Sequence, residues 1–256
     1  MSNPFSFSKN PNASKEAALK AARESAATSP PKPDAITKWI DPASAPERIY
    51  IEFDDSGSMF SEIENAKEGV VEFFRNCIPN QTAVYVKMIC GFNPDIEKWN
   101  SNLIQAAGFV KNAHAGLVDT PLFEHMNAPL NKSIKPTRIV VFSDGDPTDH
   151  LWAPQNSEAY KLSALDRRKK SADIVIEHAK ELHITIDTVF FGENSEWNQD
   201  SIALLKYIAE QSGGYFLHFD PKKVNFRTAF KYLAPVNRLM LASESVRAEI
   251  ESGKRN

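Results

Sequence analysis

The sequence predicts an α/β fold in which a doubly wound, mainly parallel central sheet carries helices on both faces. Two observations indicate this class. From residue 48 onward, short apolar segments typical of buried strands alternate with longer segments of helical periodicity. In addition, residues 137–142 form an almost continuous apolar run, as expected for a central parallel strand covered on both faces. Crossover connections between such strands give a Rossmann-like layered domain.

The strands and helices can be placed one by one. Residues 48–53 are rich in β-branched and aromatic side chains, and residues 82–90 alternate between the two faces of a strand. Further strands are predicted at 137–142, 183–192 and 215–219. Apolar residues spaced by three and four predict an amphipathic helix at 61–76. The remaining helices are predicted at 121–132, 165–182 and 200–211, and residues 224–233 close the domain.

Composition fits one globular domain with extensions, because 42% of the 256 residues are hydrophobic and 25% are charged. The net charge of -3 gives no electrostatic reason to expect nucleic acid or a membrane surface as a partner. Cys77 and Cys90 are too few for a disulfide framework, so both are interpreted as reduced core residues. The sequence shows no targeting segment and no apolar run long enough to cross a membrane, which predicts a cytoplasmic protein.

Three regions are predicted along the chain. Residues 1–46 form a flexible N-terminal extension, in which residues 14–27 have the composition of a short helix. That helix is either frayed or a docking segment that orders on a partner, since its apolar surface is mostly alanine. Residues 47–235 form the folded domain. Residues 236–256 form a C-terminal tail with a candidate helix at 236–251.

Polar side chains end the first strand abruptly. Asp54, Ser56 and Ser58 place a carboxylate and two hydroxyls at alternate positions. Hard oxygen donors of this kind suit a small divalent cation such as Mg²⁺. The carboxyl end of a parallel strand is also where open α/β sheets bind ligands. We therefore interpret this segment as part of a metal site.

Two later residues extend the pattern, and each also has a simpler interpretation. Thr120 precedes Pro121 at the start of a predicted helix, so it could be only a helix N-cap. Asp144 follows the strand at 137–142, but an Asp-Gly pair is also common in turns. The long loop at 145–163 leaves the same edge and is a candidate for partner specificity.

Together, Asp54, Ser56, Ser58, Thr120 and Asp144 resemble the metal-ion-dependent adhesion site (MIDAS) of the von Willebrand factor A (VWA) domain family. The three parts of the motif are the segment from Asp54 to Ser58, then Thr120 and then Asp144. They occur in the family's order, and the resemblance covers residues 47–235. The resemblance implies Mg²⁺, or Mn²⁺ or Ca²⁺, bound directly by Ser56 and Ser58. It implies that Thr120 binds directly or through water, and that Asp54 and Asp144 act directly or through hydrogen bonds. It also implies an antiparallel edge strand, placed at 109–115.

The function implied by this resemblance is non-enzymatic, metal-dependent docking of a protein partner. A partner's Asp or Glu carboxylate would fill the open position on the metal, in some relatives within assemblies that contain AAA+ ATPases. Two residues depart from the family's pattern. Asp55 adds a carboxylate to the first loop, unless its side chain points outward, and Asp119 stands where glycine is common. The added charge would tighten cation binding or repel an acidic ligand.

Two alternatives come from other functional classes. A structural subunit could use the metal site only to stabilise its loops. A phosphotransferase of the haloacid dehalogenase type also ends a strand with aspartate and uses Mg²⁺, but it needs a second aspartate two residues later. Ser56 occupies that position, which removes the acid/base group. The sequence therefore favours a binding module over an enzyme.

Overall fold

The computed structural model describes residues 41–78, 81–89, 98–116, 119–145, 147–152, 161–220, 230 and 233–234. The helix predicted at 14–27, the candidate helix at 236–251, Cys90 and most of the segment at 224–233 lie outside the described residues. No helix among the described residues is both long enough and apolar enough to cross a membrane.

Five parallel strands form the central sheet, which confirms the predicted α/β class. In chain order they are β1 (Glu47–Phe53), β2 (Thr82–Met88), β3 (Arg138–Ser143), β4 (Thr185–Phe191) and β5 (Phe216–Phe219). Their order across the sheet is β2-β1-β3-β4-β5. The chain thus builds outward in both directions from the β1–β3 pair, so their carboxyl ends flank the point where the topology reverses. Crevices that bind ligands open at this point in α/β sheets.

Helices cover both faces of the sheet. The helices are α1 (Ile63–Arg75), α2 (Leu103–Lys111), α3 (Leu122–Asn127), α4 (Ala164–Glu181) and α5 (Gln199–Ser212). Along β1, Ile49 and Ile51 enter one core cluster with α1 and α2. Tyr50 between them enters the other cluster, with α3, α4 and α5. Successive strand side chains point to opposite faces, so one strand supplies both cores.

The edge strand predicted at 109–115 is wrong. Phe109 and Val110 belong to α2, and the described residues contain no strand there. Leu103, Ala106 and Val110 are buried along one face of this helix. The helix begins where Asn102 accepts a hydrogen bond from the Gln105 amide at 3.1 Å. A short apolar run has no distinctive period, so the sequence at 109–115 does not separate a strand from the end of a helix.

The helix predicted at 121–132 is shorter than expected. It ends at Asn127 and continues as a single 3₁₀ segment, Ala128–Asn131. Pro129 explains the change, because proline has no amide hydrogen for the α-helical ladder. Cys77, by contrast, is buried and free, as predicted.

A buried arginine joins several elements at the edge of the sheet opposite the candidate site. Arg138, the first residue of β3, pairs with Asp187 at 3.0 Å and with Glu47 at 3.1 Å. The same guanidinium donates a hydrogen bond to the carbonyl oxygen of Leu233 at 2.8 Å. Its charge is thus compensated by partners from two other strands and by the chain near residue 233.

Two helical glycines provide a matched test of the packing. A Cβ added to Gly69 in α1 would lie 2.3 Å from the ring of Phe230, whereas one added to Gly108 in α2 meets nothing within 4 Å. Phe230 is fully buried, so its ring has no free space to enter. We expect Gly69→Ala to lower the free energy of unfolding by about 1–3 kcal/mol. Gly108→Ala should raise it by about 0.5–1 kcal/mol through helix propensity. Urea denaturation checks both, and equal effects would contradict this packing.

Candidate metal centre

The polar loop after β1, residues 54–58, is anchored to the sheet by backbone hydrogen bonding. We call it the first polar loop. β1 ends at Phe53, but the Asp54 amide still donates to the Phe142 carbonyl oxygen at 2.8 Å, which extends the β1–β3 pairing. The Ser56 amide then donates to Asp54 Oδ1 at 2.9 Å and turns the chain away from the sheet. The chain continues into a 3₁₀ turn, Gly57–Ser61. This turn places Ser56 and Ser58 over the ends of the two central strands.

A chain of hydrogen bonds links the first polar loop to the loop after β3. Ser56 Oγ and Ser58 Oγ lie 2.9 Å apart. Ser58 Oγ donates to Asp144 Oδ1 at 2.8 Å. Residues separated by 86 positions in sequence therefore meet in one cluster of oxygen atoms. The structure brings together four of the predicted site residues, since Asp54 is bonded to the Ser56 amide.

Asp54 is the fixed member of this cluster. Its side chain is fully buried, and Oδ2 accepts a short hydrogen bond of 2.5 Å from Ser143 Oγ. Since Oδ1 accepts a hydrogen bond from the Ser56 amide, both carboxylate oxygens of Asp54 are oriented by protein donors. Ser143 is not among the residues predicted for the site. Its position as the last residue of β3, next to Asp144, was the available signal.

Thr120 approaches the same edge by a different connection. Its amide donates to Thr148 Oγ1 at 2.9 Å, and its carbonyl oxygen accepts from the Thr148 amide at 2.9 Å. These two hydrogen bonds tie Thr120 to the loop that begins at Asp144. Within the described part of the chain, its hydroxyl makes no hydrogen bond to the other four predicted residues. The structure therefore places Thr120 beside the second loop without joining it to the cluster.

The N-cap interpretation of Thr120 is wrong. Pro121 occupies the cap position of α3 and makes no side-chain capping bond. The carboxylate of Asp149 instead accepts hydrogen bonds from the Phe123 amide at 3.2 Å and the Glu124 amide at 2.6 Å. An aspartate at a helix N-terminus is favourable because it satisfies free amides and complements the helix dipole. Thr120 is consequently not needed to begin the helix.

Asp55 does not point outward into solvent, because the residue is fully buried. Its carbonyl oxygen accepts a hydrogen bond from the Gly116 amide at 2.8 Å. Asp119, the other departure from the resembled pattern, is exposed. The two added carboxylates thus lie in different environments, one inside the protein and one at its surface.

Burial makes this cluster unfavourable for negative charge. The pKa of Asp54 is raised, chiefly by desolvation, although hydrogen bonds from Ser143 and Ser56 oppose the shift. The pKa of Asp144 is raised to about 7, first by desolvation and then by the negative charge of Asp54. The repulsion between the fully buried Asp54 and the half-buried Asp144 is one that a bound cation relieves.

The donor atoms fit a hard cation. The five predicted residues offer two carboxylates and three hydroxyls. Oxygen ligands of this type suit Mg²⁺, Mn²⁺ or Ca²⁺ rather than metals that prefer sulfur or imidazole. Among the described residues, no group of three or more His, Cys, Asp or Glu side chains is placed to hold a metal. Any cation here would thus depend on the serine and threonine hydroxyls.

Comparison with known proteins supports the fold. No model of a known protein family matches the sequence, and no curated protein matches it significantly. Solved structures do. The VWA (vWF) domain of the type V pili tip protein Mfa5 from Porphyromonas gingivalis is similar with a TM-score of 0.58 at 11% identity, over 83% of this chain and 98% of that one.

Two Bacteroides structures are also similar. One is an aerotolerance-related membrane protein from Bacteroides fragilis, with a TM-score of 0.55 at 15% identity. The other is the conserved hypothetical protein BatB from Bacteroides thetaiotaomicron, with a TM-score of 0.52 at 16% identity. Each match covers 77% of this chain and 100% of the other. The chain therefore has a VWA-like fold.

The raised pKa of Asp144 predicts how the metal-free protein responds to pH. A carboxyl whose pKa is higher in the folded state than its ordinary 3.8 binds its proton more tightly when folded. Its contribution to stability is full below about pH 4 and is lost as the pH rises through about 7. Between pH 5 and pH 8, we expect the free energy of unfolding of the wild type to fall by roughly 1–3 kcal/mol relative to that of Asp144→Asn. Denaturation in chelator at both pH values measures this, and a constant difference would contradict it.

Proposed function

We propose that this chain is a non-enzymatic protein-binding module that depends on a divalent metal. In this proposal Asp54, Ser56, Ser58, Thr120 and Asp144 hold Mg²⁺, or Mn²⁺ or Ca²⁺, at the carboxyl edge of the sheet. The observation that carries it is the hydrogen-bonded chain from Ser56 through Ser58 to Asp144, beside the buried carboxylate of Asp54. This cluster lies at the topological switch point of a VWA-like fold, where α/β sheets bind ligands.

The residues of the cluster have different roles in this proposal. Ser56 and Ser58 supply neutral oxygens. A cation would bind between Ser58 and Asp144, in place of the hydrogen bond that joins them. Asp54 already accepts two protein hydrogen bonds, so it orients the Ser56 loop and contributes negative charge. Thr120 lies on a separate loop tied to Thr148, which suits a ligand that engages as the site fills. Mg²⁺ prefers six oxygens, so the set leaves a position for a partner.

Exposure around the site supports a protein as that partner. Phe60 is 80% exposed, although the neighbouring Met59 is fully buried. Phe60 lies two residues after Ser58 and is therefore within about 7 Å of it along the backbone. A large apolar side chain beside a charged site favours a docking role, because aromatic residues are enriched where proteins bind one another. We propose that a partner's Asp or Glu carboxylate reaches the metal while neighbouring side chains cover Phe60.

The structural alternative remains a second candidate. The Ser58–Asp144 and Ser143–Asp54 bonds join two loops, so a metal there could serve only to stabilise them. The phosphotransferase alternative has less support, since Ser56 stands where the second aspartate would be and its hydroxyl faces Ser58. We also propose that the protein is cytoplasmic and works within a multiprotein or AAA+ ATPase-associated assembly. Cell fractionation followed by immunodetection would test the location.

Calorimetric titration of Mg²⁺ and Mn²⁺ into chelator-treated protein tests the metal site. We expect saturable binding to the wild-type chain and at least about a tenfold loss in Ser56→Ala and Asp144→Ala, because each removes an oxygen ligand. Asp119→Asn is the matched control, since it removes an exposed charge from the same edge without removing a proposed ligand. Its affinity should stay within a few-fold of wild type.

Circular dichroism and thermal unfolding of the same variants separate docking from a structural role. A docking site predicts that Ser56→Ala stays folded with Mg²⁺ present or absent. Global unfolding of this variant, or of wild type in chelator, would favour the structural alternative. Absence of binding to wild type would overturn the metal-dependent proposal.

A further inference from the structure

The loop after β4 presents the most exposed large hydrophobic side chain among the described residues. Trp197 is 94% exposed and belongs to a 3₁₀ turn, Glu196–Asn198, between β4 and α5. β4 pairs with β3 in parallel, with Phe190 beside Ser143. The loops that carry Trp197 and Asp144 therefore leave neighbouring strands at the same edge of the sheet. Adjacent strands are about 4.8 Å apart, so the two loops begin close together.

Hydrogen bonds within this loop fix the backbone that carries Trp197. The Asn198 side chain donates to the Glu193 carbonyl oxygen at 2.9 Å, and the Gln199 side chain donates to Asn194 Oδ1 at 2.7 Å. The Asn198 amide also donates to the Ser195 carbonyl oxygen at 3.1 Å. The turn thus holds the backbone of Trp197 in place and leaves its indole in solvent. A preorganised backbone lowers the conformational entropy that is lost on binding.

Acidic residues flank Trp197 in sequence. Glu193 and Glu196 are exposed in the segment between β4 and α5, and Asp200 is exposed in the first turn of α5. The sequence from 192 to 205 contains no Lys, Arg or His, so these carboxylates give the segment a formal charge of -3. An exposed aromatic side chain in an acidic segment is complementary to a cationic side chain, through cation–π attraction and charge.

We infer that the Trp197 loop receives an Arg or Lys side chain from the protein partner that binds the metal centre. This inference rests on the proposed function, because the partner's carboxylate is assigned to the metal. An extended chain advances about 3.3 Å per residue, so a short segment can place an acidic residue at one loop and a basic residue at the other. The partner is therefore recognised by two opposite charges in one segment, and Trp197 and its carboxylates select the basic one.

Peptide display on the Mg²⁺-loaded full-length protein tests this inference. A library of short random peptides is bound and then eluted first with chelator and next with high salt. We expect the chelator-eluted peptides to be enriched in Asp or Glu a few residues from Arg or Lys. Trp197→Ala should weaken their binding by about 3- to 10-fold, whereas Trp197→Phe should retain part of it. Ile104→Ala is the control, since Ile104 is 62% exposed but lies on α2.

Metal titration of Trp197→Ala completes the design, and its Mg²⁺ affinity should equal that of wild type because Trp197 is not a proposed ligand. Chelator-eluted peptides that bind Trp197→Ala and wild type equally would overturn the inference while the metal-dependent function stands. Peptides released only by salt, and lost in Trp197→Ala, would support the basic side-chain site while the metal-dependent function fails. Recovery of no Trp197-dependent peptide in either elution would overturn the inference.

Discussion

The hydrogen bond between Ser143 and Asp54 is the contact on which the candidate site depends. It joins the last residue of β3 to the residue that follows β1, at the point where the order of strand addition reverses. A carboxylate with no solvent exposure is costly unless its oxygens are bonded, so the two strand ends are constrained to meet in this way. The serine loop and Asp144 both begin from this pair. Their mutual positions follow from strand pairing rather than from flexible surface loops.

This constraint explains why the site combines order with unfavourable charge. Desolvation raises the pKa of both Asp54 and Asp144, and the sheet positions Asp54 close enough for its negative charge to raise the pKa of Asp144 further. Carboxylates with perturbed pKa values are common at functional sites. Thr120 differs, because its backbone is tied to Thr148 and its helix is capped by Asp149. The candidate site therefore combines a rigid oxygen cluster, built on two central strands, with Thr120, which approaches from a separate loop.

Most of the sheet could be predicted because buried parallel strands are apolar along their length. Residues 137–142 are the clearest case, and the structure places β3 at the centre of the sheet. The strand predicted at 109–115 was wrong because a short apolar run has no distinctive period. The turn that starts α2 at Asn102 is polar, so the start of the helix was not evident. The sequence shows Ser143 only as the neighbour of Asp144, and the roles of Ser143 and Asp149 depend on partners 89 and about 25 positions away. The motif gave the ligand types, but strand order decided which of them meet.

The buried Arg138 joins distant parts of the described chain at one end of the sheet. It contacts Glu47, where β1 begins, and the carbonyl oxygen of Leu233, which lies 95 positions away in sequence. Arg138 is the first residue of β3, whereas the oxygen cluster lies where β1 and β3 end. The contacts that close the fold and the oxygen cluster therefore occupy opposite poles of the sheet, so a substitution at one pole leaves the contacts of the other unchanged.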